Sequence, residues 1–311
     1  MRLDAVTLKQ MRAFLSVVET GSLTLAADLL HQTPPTIHSQ IKNLELAAGT
    51  ALLIRPQDGT GFRPTAAGEE MIAAAQRIEA NLSQAARQIE AVSQGKSGHV
   101  VLGTMSTAKY FVPRLVRMLQ DRIPEVEITL KVTNRSDAIA AMARGEYDLT
   151  IMGRPPRNAV RRAVPLGPHP HGIVLPPDHP LAGKDGYDPM QLLRETFLSR
   201  EDGSGTRTLM ERFFERLAEG HAPKTVVMPS NETIKQAVLA GLGIAFLSLH
   251  TVHDEVQAGR LVLLRGPGLP VMRHWYLIRG SDGPGPMTRA AERCGEEIEA
   301  LGGIYLPRLI G

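Results

Sequence analysis

Four short segments of the sequence combine hydroxyl, glycine and arginine residues in a way that suits the binding of an anion. Residues 104–107 and 133–135 each follow an apolar run, and residues 201–207 and 230–232 each precede a stretch with helical spacing. Free backbone amides at a helix start attract negative groups, and an arginine adds bidentate, charged donors. Taken singly, each segment is better explained as an ordinary helix cap than as a binding site. If the fold brings all four segments to one cleft, an anion site is the better explanation.

The sequence offers weaker support for catalysis than for binding. Gly241-x-Gly243 lacks the third glycine of a dinucleotide fingerprint, and no Gly-x-Ser-x-Gly elbow is present. His250, His253 and Asp254 have a spacing that could hold a metal, although a helix surface with chance histidines explains them better. Cys294 has no obvious base near it. We therefore expect no enzyme activity, no metal and no cofactor.

The C-terminal two-thirds of the chain must supply the elements that bring these segments together. Short β-rich runs alternate with helical spacing, which is the pattern of a parallel α/β sheet. The pattern repeats after the proline-rich passage at residues 154–156, so we expect two lobes around a cleft, as in periplasmic-binding-protein-like modules. The predicted strands lie at residues 99–103, 126–132, 148–152, 172–175, 197–198, 225–228, 244–247 and 275–278.

The first 65 residues predict three short helices. A capping box at residues 7–10 starts the first helix. Gly21 ends it, and Ser22 and Thr33 are the predicted caps of the second and third helices. Helical spacing gives the apolar positions as Leu8, Met11, Leu15 and Val18 in the first helix, Leu25, Ala26, Leu29 and Leu30 in the second, and Ile37, Ile41 and Leu44, facing inward, in the third. Ala26 and Ala27 are small residues where the second and third helices must approach closely.

The third helix has a polar face, which makes the second and third helices a candidate helix-turn-helix for the major groove of DNA. Residues 55–63 contain two glycines and an Asp-Gly pair, which is typical of a hairpin wing, with an arginine at each end for phosphate contacts. An ordinary three-helix surface with solvated arginines is the alternative. The predicted DNA-contacting residues are Ser22, Leu23, Thr24, Thr33, Pro34, Pro35, Thr36, His38, Ser39, Gln40, Lys42, Arg55 and Arg63.

Residues 71–92 predict a long helix with an apolar seam. Its apolar positions alternate in steps of four and three, which is the a/d pattern of a coiled coil. The seam needs a partner, either the rest of its own domain or the same helix of a second subunit, and two-fold DNA half-sites favour a homodimer. The predicted dimer-interface residues are Met71, Ala75, Ile78, Leu82, Ala85, Ile89 and Val92.

Composition and charge limit these interpretations. The 311 residues exceed what one core usually serves, and 43% of them are apolar against 22% charged, which favours two or three ordered domains. The net charge is +3, with six basic and five acidic residues in positions 1–64, so bulk charge does not indicate nucleic acid. A single cysteine, the lack of an apolar signal segment and the lack of a bilayer-length apolar stretch lead us to expect a cytoplasmic protein without membrane association.

Together these motifs resemble those of the LysR-type transcriptional regulators. The matching N-terminal residues are Ala26, Ala27, Leu29, Thr33, Pro35, Thr36, Ile37, Gln40, Ile41, Leu44, Glu45, Gly49, Leu52, Arg55, Thr65, Ala67 and Gly68. Pro34 and His38 stand where glutamine and serine are usual, so the family's contacts at these positions are not carried over. The resemblance implies a winged helix-turn-helix, a dimerisation helix and a two-lobed effector domain, and many members form tetramers. The expected limits are 1–65, 66–94 and 95–311, with lobe I at about 95–165 and 268–311 and lobe II at about 166–267.

The C-terminal part is most similar to the branch that controls Calvin-cycle carbon-fixation (RuBisCO) operons. Among its matching stretches are residues 203–207 and 230–238. This branch implies effectors such as reduced nicotinamide adenine dinucleotide phosphate, ribulose bisphosphate or phosphoenolpyruvate. Lys109 and Arg154 depart from its usual asparagine and glutamine and add positive charge near the cleft. The predicted effector-binding residues are Thr104, Ser106, Thr107, Thr133, Asn134, Arg135, Arg154, Arg200, Ser204, Gly205, Thr206, Arg207, Asn231 and Glu232.

We therefore expect a regulator that binds double-stranded promoter DNA, senses a small anionic metabolite, such as a phosphorylated one, and controls carbon-fixation genes. A LysR-type regulator of another metabolic operon with a different organic-acid effector stays open as an alternative. A stand-alone solute-binding protein or an enzyme is a weaker alternative, because of the helix-turn-helix. In the expected mechanism, a ligand in the cleft favours one arrangement of the lobes and so changes how the oligomer holds and bends DNA.

Overall fold

The chain forms two compact units, Met1–Ala85 and Ala86–Gly311. The structure is a computed structural model that describes residues 2–54, 61–156, 162–217, 221–279 and 287–308. The boundary between the units falls within one continuous helix, α4 (Ala66–Ser93), which covers nearly the residues predicted for the linker. The predicted domain limits themselves stay a prediction.

Three helices build the first unit: α1 (Leu8–Thr20), α2 (Leu23–Leu29) and α3 (Pro34–Ala48). The predicted capping box is present, because the Gln10 amide donates to the Thr7 hydroxyl and the Gln10 side chain accepts from the Thr7 amide. Ser22 caps α2 as predicted. Thr33 precedes α3 but its side chain makes no cap bond; the hydroxyl instead lies 2.8 Å from that of Thr36.

The buried face of α1 differs from the predicted stripe. Met11 is buried, but Leu8 is exposed, and Leu15 and Val18 are only half-buried. The residues that α1 buries most deeply are Ala13, Phe14 and Val17. They pack in one core with Ala26 and Ala27 of α2 and with the apolar face of α3, whose predicted buried positions are confirmed. Of the predicted apolar positions of α2, Leu25 and Leu29 are instead exposed, because the two small residues form the side of this helix that meets the core.

A short hairpin follows α3. Strands β1 (Leu53–Ile54) and β2 (Arg63–Pro64) pair antiparallel, with Ile54 opposite Arg63. At its base the Phe62 amide donates to the carbonyl of Gly21 at 2.9 Å. A Cβ on Gly61, whose φ is +86°, would lie 2.6 Å from that carbonyl oxygen, so this position requires glycine. The predicted wing tip, including Arg55, lies outside the described residues.

Helix α4 is 28 residues long and its apolar seam is buried only at its start. Met71 and Ala75 are buried in the first unit. Further along, Leu82, Ile89 and Val92 are 42%, 71% and 64% exposed. The second half of the seam therefore lacks a partner within the described parts of this chain.

The second unit is a mixed sheet covered by helices. Its strands are β3 (Gly98–Met105), β4 (Val126–Thr133), β5 (Leu149–Met152), β6 (Arg162–Leu175), β7 (Thr196–Arg200), β8 (Lys224–Met228), β9 (Ile244–Ser248), β10 (Val262–Leu263) and β11 (Val271–Arg279). Its helices are α5 (Val112–Arg122), α6 (Arg135–Ala143), α7 (Pro189–Leu193), α8 (Gly205–Leu217), α9 (Asn231–Leu239), α10 (His253–Gln257) and α11 (Arg289–Ala300). The strand order is β4-β3-β5-β11-β6-β9-β7-β8, with β10 beside β6.

Two lobes are joined by the long strands β6 and β11. The groups β4-β3-β5 and β8-β7-β9 are each parallel, as predicted, and each has its own core. The expectation of a parallel sheet fails at the joint, where β6 and β11 run antiparallel to each other and to their outer neighbours. They do so because both strands cross between lobes instead of returning through a helix. No helix among the described residues is long and apolar enough to span a membrane.

Candidate functional site

A cavity of about 440 Å³ lies between the two lobes of the second unit. The carboxyl ends of β3, β4, β5 and β7 border it, which is where ligands bind in open α/β sheets. Its lining residues are Met105, Ser106, Thr107, Asn134, Arg135, Gly153, Arg154, Pro155, Pro156, His169, His171, Arg200, Ser204, Gly205, Thr206, Thr208, Leu209, Arg212 and Arg273.

The starts of helices α6 and α8 border this cavity. Asn134 caps α6 by accepting from the Asp137 amide at 2.9 Å, and Arg135 is the first residue of the helix. Ser204 and Gly205 stand at the start of α8 in the other lobe. The Arg135 side chain passes close to Gly205, where an added Cβ would lie 3.0 Å from its Cδ. Two helix N-termini thus add their positive ends to the cavity.

Four guanidinium groups give the cavity an uncompensated positive charge. Arg135, Arg154, Arg212 and Arg273 all line it, and none of them pairs with a carboxylate among the described residues. Arg135 donates to the carbonyl of Arg154 at 2.7 Å. Burial lowers the pKa of Arg135, and the nearby charges of Arg154 and Arg212 lower it further. This cluster can therefore bind a group with more than one negative charge.

Arg200 has a different role from these four arginines, because its charge is already paired. It is buried and binds both oxygens of Glu201 at 2.6 Å, and it also donates to Asn231 in its own lobe. A further bond, of 3.2 Å, reaches Ser106 in the opposite lobe. Burial alone would raise the pKa of Glu201, but the bonds from Arg200 lower it overall. Arg200 thus ties the two lobes together beside the cavity.

Nine of the predicted effector-binding residues line the cavity: Ser106, Thr107, Asn134, Arg135, Arg154, Arg200, Ser204, Gly205 and Thr206. Thr104 does not, because its hydroxyl is buried and donates to the carbonyl of Ile151. Thr133 donates to the carbonyl of Asn134, next to it in the chain. Arg207 points to the acids Asp202 and Glu211, at 2.9 Å from each.

The predicted residues Asn231 and Glu232 do not line the cavity. Asn231 is buried and accepts from Arg200. Glu232 accepts from the hydroxyl of Tyr110 and lies 3.2 Å from Lys235. Burial raises the pKa of Tyr110 and its bond to Glu232 raises it further. These two residues therefore support the contact between lobes and are not placed to touch a cavity ligand.

Besides Arg212 of α8, three residues with strong potential for ligand contact were not predicted: His169, His171 and Arg273. All three lie within the crossing strands, whereas the sequence reasoning considered only strand ends. The available signal was the spacing of His169 and His171, since residues two apart share one face of a strand. The three residues considered as metal ligands, His250, His253 and Asp254, belong to no group of three or more candidate ligands among the described residues.

The candidate DNA interface lies on the first unit. Thr24, Pro34, Pro35, Thr36, His38, Ser39, Lys42 and Arg63 are exposed, as is Thr33. Ser22, Leu23 and Gln40 are half-buried, and Leu23 packs on the core. The buried face of α3 fixes this helix against α1 and α2, so its exposed face is presented rigidly. Contact of these residues with DNA stays a prediction.

Two family models match the chain and together cover most of it. The model described as "LysR substrate binding domain" matches residues 93–299. The model described as "Bacterial regulatory helix-turn-helix protein, lysR family" matches residues 8–69. The two matched segments correspond to the two parts of the sequence for which sensing and DNA binding were predicted.

Curated relatives match over nearly the full length. The chain is 54% identical over 306 residues to "HTH-type transcriptional regulator CbbR" of Cereibacter sphaeroides, covering 98% of each protein. It is 37% identical over 273 residues to "RuBisCO operon transcriptional regulator" of Allochromatium vinosum, covering 88% of this chain and 89% of that protein. Both relatives are thus named as transcription regulators.

Two solved structures resemble the fold. The CcmR regulatory domain of Synechocystis PCC6803 in complex with 2-PG has a TM-score of 0.61 and 32% identity, covering 66% of this chain and 98% of that one. Full-length CbnR with its target DNA has a TM-score of 0.64, covering 95% of this chain and 99% of that one. At 19% identity the likeness to CbnR concerns the fold alone.

Proposed function

The chain belongs to the LysR family of transcriptional regulators, and we propose that its cavity senses a small metabolite with two or more negative charges. The carrying observation is the cluster of Arg135, Arg154, Arg212 and Arg273, four cations around one cavity without a carboxylate partner among the described residues. Guanidinium groups so close together repel one another, and an anion relieves that repulsion. A dianionic or larger polyanionic ligand fits this charge better than a monoanion.

The proposed target is a set of carbon-fixation genes. Support comes from a relative at 54% identity named CbbR and from a second one named as a regulator of the RuBisCO operon. The ligand class is supported by the CcmR regulatory domain, 32% identical, which binds 2-PG. We assign the exposed face of α3 to the major groove and Arg63 to the phosphates of the same DNA.

The proposed working form is a homodimer or a larger homo-oligomer joined through α4. Leu82, Ile89 and Val92 would bury their exposed side chains against the same helix of a second copy. The protein would work in the bacterial cytoplasm, where promoter DNA lies, and would not turn its ligand over. Ligand binding would shift the equilibrium between arrangements of the lobes, and this shift would change how the oligomer binds and bends DNA.

Binding to the DNA upstream of the protein's own gene, measured at two salt concentrations, tests the regulator. We expect binding that is selective for this DNA over random DNA and that weakens with salt, because phosphate contacts release counterions. Candidate ligands are 2-PG, ribulose bisphosphate, phosphoenolpyruvate and reduced nicotinamide adenine dinucleotide phosphate. At least one should change the affinity or the footprint; if none does, the proposed ligand class is wrong.

Two arginines of α8 provide a matched pair of variants for the cavity. Arg212→Gln removes one cavity cation and should weaken the ligand by roughly tenfold or more, since hydrogen bonds to charged groups contribute about 1.5–3 kcal/mol. Arg207→Gln removes an equal charge on the same helix, but one that pairs with Asp202 and Glu211 outside the cavity. Equal ligand affinity in both variants would contradict the proposal that the ligand binds in this cavity.

A further inference from the structure

The two histidines of β6 give the cavity a second kind of chemistry beside its positive charge. His169 and His171 face the same side of the strand, and both line the cavity. Their ring centroids are 4.2 Å apart. Both rings are almost fully buried, with 3% and 4% exposure. The anion site derived above makes no use of either ring.

The hydrogen bonding of His171 fixes which of its nitrogens is left for a ligand. Its Nδ1 lies 3.1 Å from the carbonyl oxygen of His169, and a carbonyl can only accept. The Nδ1 atom therefore carries a hydrogen, and Nε2 remains for whatever occupies the cavity. Burial lowers the pKa of His171 to about 3; the bond to His169 opposes this, whereas His250 and Arg273 lower it further. At neutral pH the ring is uncharged and Nε2 can only accept.

The other polar groups of the cavity are mainly donors. The arginines only donate, and the hydroxyl groups of Ser106 and Thr206 can do either. The side-chain oxygen of Asn134 already accepts from the Asp137 amide and from the Ser136 hydroxyl, both at 2.9 Å. An anion therefore finds many donors for its oxygens, whereas Nε2 of His171 requires a hydrogen from the ligand.

His169 supplies an independent observation at the same place. Its Nε2 lies 3.0 Å from the hydroxyl of Ser248, and its ring stacks on Trp275 with centroids 3.8 Å apart. Its Nδ1 is buried and has no hydrogen-bond partner in the described parts of the chain. That atom lies beside Gly153, another lining residue, where an added Cβ would be 2.8 Å away. A buried nitrogen left without a partner is rare in a folded protein, and this one lies in the wall of the cavity next to His171.

We propose that the effector carries a hydroxyl group beside its anionic groups and that His171 is the residue that selects it, by accepting the hydroxyl hydrogen at Nε2. An ammonium group is excluded as the donor, because it would meet the four uncompensated arginines. The ligand class is thus a hydroxylated polyanion, such as a phosphorylated hydroxy acid or sugar acid. The inference rests on the proposed function, since it assumes that the arginine cavity is the effector site.

Two pairs of compounds that differ in one hydroxyl test the inference on the full-length protein by calorimetry. One pair is 3-phosphoglycerate and its 2-deoxy analogue, and the other is 6-phosphogluconate and its 2-deoxy analogue. In at least one pair the hydroxylated compound should bind about tenfold more tightly, because a site built for a hydroxyl is left with an unpaired group by the deoxy compound. This comparison needs no variant and is independent of any folding defect.

Three variants then identify the residue. His171→Phe keeps a ring but removes the acceptor. In this variant the preference, which is the ratio of the affinities of the hydroxylated and deoxy compounds, should fall to about one. His171→Gln retains an acceptor oxygen and should restore part of it. His274→Phe changes an exposed histidine on the neighbouring strand outside the cavity lining, and should leave the preference unchanged.

The outcomes separate the inference from the proposed function. If both members of each pair bind with equal affinity, or if His171→Phe keeps the preference, the role of His171 is wrong while the anion cavity stands. If none of the four compounds binds although a candidate of the DNA experiment does, the inference is wrong and the anion cavity stands. If those candidates fail as well, the anion cavity is also wrong.

Discussion

Three histidines form one buried cluster beside the indole of Trp275 and are held in their neutral form: His169 and His250 stack on that ring, and His171 lies against His169. Burial is the main cause that lowers each pKa: to about 3 for His171, to about 4 for His250, and well below the ordinary value for His169. The Trp275 indole donates to Nδ1 of His250 at 3.1 Å, which also requires that nitrogen to be unprotonated. The cluster is therefore stable only while it carries no proton beyond those of the neutral rings.

We expect the stability of the second unit to fall when the pH is lowered below the histidine value of 6.5 in the unfolded chain. The folded pKa values lie below the unfolded one, so the unfolded state binds more protons in this window and acid favours it. Each histidine should contribute about 1.4 kcal/mol per pH unit to the loss, from pH 6.5 down to its folded pKa. The loss should be absent above pH 7.

The fluorescence of Trp275, the one tryptophan of the chain, follows unfolding of this unit specifically. Urea unfolding at a series of pH values gives the slope of the free energy of unfolding against pH. His171→Phe should reduce this slope by the contribution of one proton, whereas His274→Phe should not. If the slope is equal in His171→Phe and in the parent protein, His171 does not contribute to the loss of stability in acid.

For single residues, the sequence predicted a place in the cavity only where the residue lies at the end of a strand or the start of a helix. Ser106, Asn134, Arg135 and Gly205 stand at the ends of strands or the starts of helices, and so a general rule for α/β sheets located them. His169 stands in the middle of a strand, and its exposure to the cavity depends on where two crossing strands meet, which local spacing does not encode. Arg207 lies outside the cavity lining, because its guanidinium pairs with two local acids, Asp202 and Glu211.

In α4, the second half of the apolar seam is left without a cover in the part of the chain that the structure describes. Ile89→Glu should dissociate the proposed dimer, weakening association by about 100-fold, because an unpaired charge buried in an apolar interface costs about 3 kcal/mol or more. Sedimentation of the full-length protein over a range of concentrations measures this effect. Ser83→Glu adds the same charge on an exposed position of α4 outside the seam and serves as the control. An unchanged dimer in Ile89→Glu would exclude this seam as the interface.

Helix α3 offers two exposed residues that should affect DNA binding in different ways. Lys42→Ala should weaken binding to the operator and to random DNA alike, and should reduce the slope of log affinity against log salt by about one. His38→Ala should weaken operator binding by about 1–3 kcal/mol and leave random DNA nearly unaffected, if its ring reads a base edge. Fluorescence anisotropy at four salt concentrations distinguishes the two patterns. Identical patterns in both variants would contradict the proposed division of roles.

The type and order of most elements followed from sequence spacing, but α7, β10 and the first ten residues of β6 were not predicted, and neither was the orientation of α1. Leu8, Met11, Leu15 and Val18 repeat with the same period as Met11, Phe14 and Val17. Both sets fit one face of a helix, so periodicity alone cannot decide between them. The position of α2 and α3 decides it, because they cover the side of Phe14.

Across the whole second unit, a few polar contacts hold the lobes in the arrangement seen here. Arg200 reaches Ser106 across the cleft, and the Tyr110 hydroxyl donates to Glu232 in the opposite lobe. Lys109 lies 3.6 Å from the same carboxylate. These bonds compete with any second arrangement that a ligand favours, so they set part of the equilibrium that a regulator of this kind must shift.

A double-mutant cycle with Tyr110→Phe and Glu232→Gln should measure one of these contacts. We expect a coupling energy of about 1 kcal/mol, below the usual range of about 1.5–3 kcal/mol for a bond to a charged group, because exposure weakens the bond; the Glu232 side chain is 44% exposed. Urea unfolding followed by Trp275 fluorescence supplies the four free energies. Additive effects of the two substitutions would show that the bond does not hold the lobes together.

The position of β11 and α11 late in the chain also has a consequence for biosynthesis. These two elements complete the core of the first lobe, and β11 fills the gap between β5 and β6, although all of the second lobe precedes them in the sequence. A nascent chain on the ribosome therefore lacks the central strand of the sheet until residue 279 has left the exit tunnel. The helix-turn-helix, whose partners all lie within residues 2–85, can fold much earlier. During synthesis there is consequently an interval in which the DNA reader is complete and the metabolite sensor does not yet exist.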